Sequence, residues 1–182
     1  MSEKFKNKYR IKSARLQNWD YGSNAAYFVT ICTKDRACYF GEVIEGKMQL
    51  NEIGKIAESE WLKTFEMRPD MNLEMGEYVV MPNHIHAIIG IGKNKYNTVC
   101  RNAMHCVPTN QFGPQSKNLA SIIRGYKSSV KKYATINNID FVWQPRFHDH
   151  IIRNDESFHR ISEYIINNPL NWHFKNLGAQ KL

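Results

Sequence analysis

Apolar residues recur along this chain with two different periods, and the switches between them mark out its elements. Ala26–Thr33, AYFVTICT, is dense in β-branched and aromatic residues and predicts a strand. Residues 39–50, YFGEVIEGKMQL, hold two short extended runs about Glu45-Gly46, the pattern of a hairpin. From Asn51 to Phe65 the period lengthens. Ile53, Ile56, Ala57, Trp61 and Phe65 share one stripe of a helix, which Arg68-Pro69-Asp70 ends. Two strands follow, Met75–Met81 and His84–Ile91, with Pro82-Asn83 between them. Leu119–Tyr133 is a second amphipathic helix, with Leu119, Ile122, Ile123, Tyr126, Val130 and Tyr133 on its buried side. Its opposite side carries Arg124, Lys127, Lys131 and Lys132. Within Phe141–Arg153 the run RFHDHIIR is again extended. A third helix begins after Asn154, a favourable N-cap, with Asp155 and Glu156 in its first turn, and runs to about Asn168, before Pro169. Strands and helices interleave as in a small α+β fold, a sheet with helices packed on it.

A length of 182 residues suits one compact domain spanning 1–182. Two segments stand outside the periodic pattern. Residues 1–24 form a basic arm (Lys4, Lys6, Lys8, Arg10, Lys12, Arg15), and residues 93–118, polar and aperiodic, read as an inserted mobile loop. Charge sharpens the picture. Twenty-five Lys and Arg against 17 Asp and Glu give +8, a surplus that suits a polyanionic partner such as nucleic acid. The arm, through Arg10 and Lys12, and the outer face at Arg124, Lys127, Lys131 and Lys132 are the candidate phosphate contacts.

Other classes fall away. The longest apolar run, around Ile85–Gly92, is far short of the ~18 residues a membrane helix needs. The polar, basic N-terminus has no secretory h-region. Cysteines 32, 38, 100 and 106 make no C-x-x-C pair and no disulfide framework, so reduced thiols and a cytoplasmic location are expected. Cys100, His105 and Cys106 could be imagined as zinc ligands, but they sit in an irregular stretch with no second knuckle.

The sharpest local feature is Met81-Pro82-Asn83-His84-Ile85-His86. On a strand His84 and His86 share one face, while Ile85, Ala87, Ile89 and Ile91 share the other. Two imidazoles braced by an apolar backing make half of a divalent-metal site, although two histidines on a strand are also ordinary polar surface. Tyr164 and Asn168 lie four residues apart on one face of the third helix. A phenol close to a divalent cation and an in-line phosphodiester becomes a workable nucleophile, and an amide oxygen one turn on can share the cation. Tyr164 could equally border the apolar stripe of Phe158, Ile161 and Ile165.

Four stretches in order, YFVTICT (27–33), EYVVMPNHIH (77–86), VWQPRFHDHIIRN (142–154) and EYIINNP (163–169), resemble the HUH single-tyrosine transposases, specifically the REP-associated tyrosine transposases. The match covers most of residues 10–172. The resemblance implies a ferredoxin-like α+β core, an antiparallel sheet carrying the HUH motif on a central strand, with the nucleophile's helix facing it. It puts the histidine pair on His84 and His86, the nucleophile on Tyr164 and a third metal-binding position on Asn168. It further implies Mg²⁺ or Mn²⁺, single-stranded or hairpin DNA as substrate, a 5′-phosphotyrosine intermediate, and the dimers common in the wider family.

Rival placements remain at this level. Tyr126, flanked by bases in Arg124-Gly125-Tyr126-Lys127, falls on an apolar stripe with no amide or carboxylate one turn on, so core packing or base stacking suits it better. His150, on one strand face with His148, has a plausible supporting role at the metal or a phosphate. A binding module for hairpins or single strands, with a degenerate site, would explain the charge and fold equally. It would have no reason to keep His84, His86 and Tyr164 together.

Overall fold

The computed structural model describes residues 19–98 and 116–172, together with Leu16 and the backbone of 4–5 and 8–9. Arg10, Lys12 and the possible zinc ligands Cys100, His105 and Cys106 lie outside the described residues, as does 99–115 of the expected loop. The strands are β1 (Lys4–Phe5), β2 (Lys8–Tyr9), β3 (Ala25–Cys32), β4 (Gly41–Ile44), β5 (Lys47–Leu50), β6 (Leu73–Met81), β7 (His84–Ile91) and β8 (His148–Ile152). The helices are α1 (Glu52–Glu66), α2 (Leu119–Ile136) and α3 (Asp155–Ile166).

Four strands form one antiparallel sheet in the order β6-β7-β3-β8. With α1 joining β3 to β6 and α2 joining β7 to β8, this is the split β-α-β arrangement of a ferredoxin-like fold. The histidine-bearing strand β7 lies in its interior. Strand alternation then sorts the side chains. Tyr27, Val29 and Ile31 of β3 and Ile85, Ala87, Ile89 and Ile91 of β7 meet Trp61 of α1 and Ile122, Tyr126 and Val130 of α2 in the main core. On the opposite face Phe28 and Ile88 meet Phe158, Ile161 and Ile165 of α3, a smaller apolar cluster.

The helices begin where their sequences say they should. Asn51, Asn118 and Asn154 each accept a hydrogen bond from the backbone N–H three residues on, capping α1, α2 and α3. Glu45 (φ 50°) and Gly46 (φ 73°) supply the two left-handed residues that a tight β4–β5 hairpin requires. Helix α2 runs about one turn beyond its predicted end. Helix α3 stops at Ile166, two residues early, because Pro169 disfavours helical geometry in the residue before it.

The extended run at 141–153 divides in two. Trp143 bridges Thr33, and regular pairing resumes only at His148 opposite Thr30, so three steps along β3 face five along the other strand. Arg146, at φ 68°, absorbs the surplus. Both described ends of the expected loop are tied down. Tyr96 and Lys117 converge on Asp70, and Asn94 bridges the carbonyls of Met71 and Gly92. Lys117, then Tyr96, holds the Asp70 carboxyl below the ordinary carboxylate range.

Candidate active site

The face of the sheet under α3 gathers the polar residues that strand alternation excludes from the main core. His84 and His86 lie side by side, with ring centroids 4.4 Å apart at 72°. Helix α3 crosses above and brings the Tyr164 ring to 5.2 Å from His86, with its hydroxyl 3.3 Å from Nε2. The three side chains named from sequence therefore meet, although 78 residues separate Tyr164 from His86. Tyr164 is 42% exposed and His86 only 6%, so the phenol sits at the rim of the site and the imidazole at its floor.

Two neighbours orient the rings. The Asn83 amide donates through Nδ2 to the Arg36 carbonyl (3.0 Å), which turns Oδ1 towards His84 Nδ1 at 2.7 Å. An amide oxygen only accepts, so this contact places a proton on His84 Nδ1. Thr30, opposite His86 in the β3–β7 register, holds the His86 Nδ1 at 2.9 Å through Oγ1 and leaves Nε2 towards Tyr164. Phe28 stacks on His86 (5.3 Å, 27°) and meets Tyr164 edge-on (6.1 Å, 86°). Trp172 lies tilted beside His84 at 6.0 Å. Sequence reasoning missed Thr30, Phe28 and Asn83. The alternation of β3 puts Thr30 and Phe28 on one face, but only the register across β3 and β7 puts that face beside the histidines.

Asn168, four residues beyond Tyr164, is 1% exposed, and neither Nδ2 nor Oδ1 has a hydrogen-bond partner among the described residues. Leaving a buried amide unsatisfied costs on the order of 1–3 kcal/mol, which an added ligand could recover. Among the described residues no group of three or more His, Cys, Asp or Glu could hold a metal. A site here would therefore be two imidazoles completed by an amide. Two neutral nitrogens and an amide oxygen suit a divalent cation whose remaining positions are filled by water and phosphate oxygens.

The other named residues are placed differently. Tyr126 is 2% exposed, donates its hydroxyl to the Ala57 carbonyl (3.0 Å) and packs edge-on against Trp61 in the main core. Its pKa is driven well up by burial. Lys127 donates to the carbonyls of Gln144 (2.6 Å) and Arg146 (3.0 Å), and Lys131 to that of Phe141 (2.6 Å), so both ammoniums fasten the 141–146 segment to α2. Burial lowers the Lys127 pKa. Arg124 and Lys132 are exposed. His150 is exposed on β8 opposite Phe28, on the same sheet face as the histidine pair.

No protein-family model matches the chain. It is 38% identical over 165 residues to an uncharacterized protein of Haemophilus influenzae, a match covering 88% of this chain and 89% of that one. A second protein of that organism, named "Putative REP-associated tyrosine transposase", is 26% identical over 151 residues, covering 83% of this chain and 73% of the relative. Among solved structures, a REP-associated tyrosine transposase bound to a REP hairpin shares the fold at a TM-score of 0.56 and 18% identity, over 87% of this chain and 74% of that one. The antiparallel sheet with its helices thus has the same fold as that solved transposase. In sequence and in fold the chain is similar to REP-associated tyrosine transposases. No helix among the described residues is long and apolar enough to cross a membrane.

Proposed function

We propose that this protein nicks and rejoins single-stranded DNA, next to hairpins, through a covalent 5′-phosphotyrosine at Tyr164. The observation that carries the reading is the Tyr164 hydroxyl lying 3.3 Å from Nε2 of His86, beside His84. His84 and His86, through their Nε2 atoms, and Asn168, through its unpartnered Oδ1, would hold Mg²⁺ or Mn²⁺. Such a cation supplies positive charge that favours the phenolate and offsets charge growing on the non-bridging phosphate oxygens.

The residues themselves do the rest. Phe28 and the capped helix α3 hold the phenol ring, and Thr30 and Asn83 hold the imidazole rings in place. Attack by the Tyr164 oxygen forms a P–O bond to the 5′ side and breaks the P–O3′ bond. The proton lost by the phenol is matched by the one gained by the departing 3′ oxygen. One phosphodiester replaces another, so a 3′-OH can reverse the step, or complete strand transfer, without ATP. The basic surplus suits the DNA partner, and hairpin DNA is the ligand in the structure of the related transposase.

The test incubates the protein with labelled hairpin-bearing single strands and Mg²⁺ or Mn²⁺, then looks for a covalent adduct on a denaturing gel. Adduct should form with the native chain, vanish in Tyr164→Phe and persist in Tyr126→Phe. An adduct that survives Tyr164→Phe would move the nucleophile elsewhere. DNA binding with no adduct under any condition would leave a binding module and end the enzymatic reading.

A further inference from the structure

Beyond Tyr164 the polar stripe of α3 continues away from the histidine pair. Residues 157, 160 and 164 recur at three- and four-residue spacing, so Ser157 and Arg160 lie on the same side of the helix as Tyr164. Arg160 is one turn before Tyr164, about 6 Å along the axis. Across from this stripe the sheet presents His150, which β3 pairs through Phe28 with the row of Ile88 on β7. Helix α3 packs mainly on β6, at the far edge of the sheet, and leaves His148 and His150 of β8 exposed.

The result is an open groove of about 530 Å³ at the β8 edge. Its walls include His150, Arg153, Asn154, Ser157 and Arg160, with Tyr21 at one side. Asp149 also reaches its margin, from the opposite face of the strand. Arg153 and Arg160 are both exposed, and the two ion pairs between described residues, Lys63–Glu60 and Lys117–Asp70, lie elsewhere. Two guanidiniums, an imidazole, an amide and a hydroxyl make a donor-rich wall, the composition that grips a nucleic-acid backbone.

We propose that this groove binds the DNA backbone next to the scissile phosphate, with Arg160 and Arg153 contacting successive phosphates. The proposal extends the assignment of Tyr164 as nucleophile, on which the word scissile rests; the groove's affinity for single strands does not depend on it. It also relocates the principal DNA contacts from the α2 face, where Lys127 and Lys131 already bond backbone carbonyls.

The experiment measures the affinity of a fluorescein-labelled oligothymidylate as a function of salt, in chelator, so that no cleavage intervenes. Each phosphate contact removed should lower the slope of log affinity on log salt by about 0.7. Arg160→Gln should show one such step, Arg153→Gln with Arg160→Gln about two, and Arg160→Lys should restore the native slope. Lys55→Gln, an exposed change of equal charge on α1, is the control and should leave the slope unchanged. A double variant whose slope and affinity match Lys55→Gln would overturn the proposal. With Mg²⁺ restored, Arg160→Gln should raise the DNA concentration giving half-maximal adduct. A slope change in a protein that forms no adduct would keep the groove and discard the nicking reaction.

Discussion

The two faces of the central sheet are built from the same strands and do opposite things. On one face, every other residue of β3 and β7 is apolar and fully covered by α1 and α2. On the other, the alternate positions of those strands hold Thr30, His84 and His86, and a single short helix covers only part of them. Burial on the first face is complete enough to carry the stability of the fold by the hydrophobic effect. The second face has a small apolar anchor, Ile88, Ile152 and Ile165, which fixes α3 and leaves the polar groups beside it partly accessible. A rigid covered face thus allows an open face to hold an unsatisfied amide and two close imidazoles, arrangements that cost stability by themselves.

That contrast can be broken by substitution. Trp61→Ala, in the closed face, should cost about 3–5 kcal/mol in chemical denaturation, since its large buried ring leaves a cavity. A loss under 1 kcal/mol there would mean that the helical layer is loosely packed. Next in size is Lys127→Met, which removes two charge-assisted bonds to the 144–146 carbonyls and should cost about 2 kcal/mol. The salt dependence of DNA binding should not move; a fall of about 0.7 in slope would return Lys127 to the DNA interface.

Asn168→Leu tests the open face with the opposite sign. In chelator it should raise stability, on the order of 1–3 kcal/mol, by removing an orphaned buried amide, and should weaken Mn²⁺ binding followed by paramagnetic relaxation. Destabilisation in chelator would show that the protein itself satisfies the amide. The smallest effect is expected at Asp70. Its carboxyl is depressed by Lys117 and Tyr96, so its contribution is present above the ordinary carboxylate range and is lost as pH falls through the depressed value. Asp70→Asn should flatten that acid limb of a urea-midpoint profile and leave the midpoint's dependence above neutrality unchanged.

Much of this was legible in the chain. The cap at Asn154, the Glu45-Gly46 turn and the alternation of β7 are local signals, each satisfied within a few residues. The divided run at 141–153 was not legible, because RFHDHIIR looks uniformly extended and nothing nearby announces a positive φ at Arg146. Lys127 and Lys131 read as an outer basic face because helical periodicity says which side is polar, not what approaches that side. Tyr126 and Tyr164 both border apolar stripes, and sequence favoured one over the other mainly through the amide that follows Tyr164 and the motif around it.

The amino-acid sequence by itself determined the main elements, the two-faced character of β7 and the transposase resemblance, because these depend on short-range periodicity and on motifs in order. Only the tertiary structure decided that Tyr164 stands over His86, that Thr30 and Asn83 hold the imidazole rings, that the buried Asn168 amide has no partner among the described residues, and that β8 leaves a basic groove beside α3. Those facts rest on strand register and on the crossing of α3 over the sheet. Both bring together residues dozens of positions apart, and no local pattern encodes the distance between them.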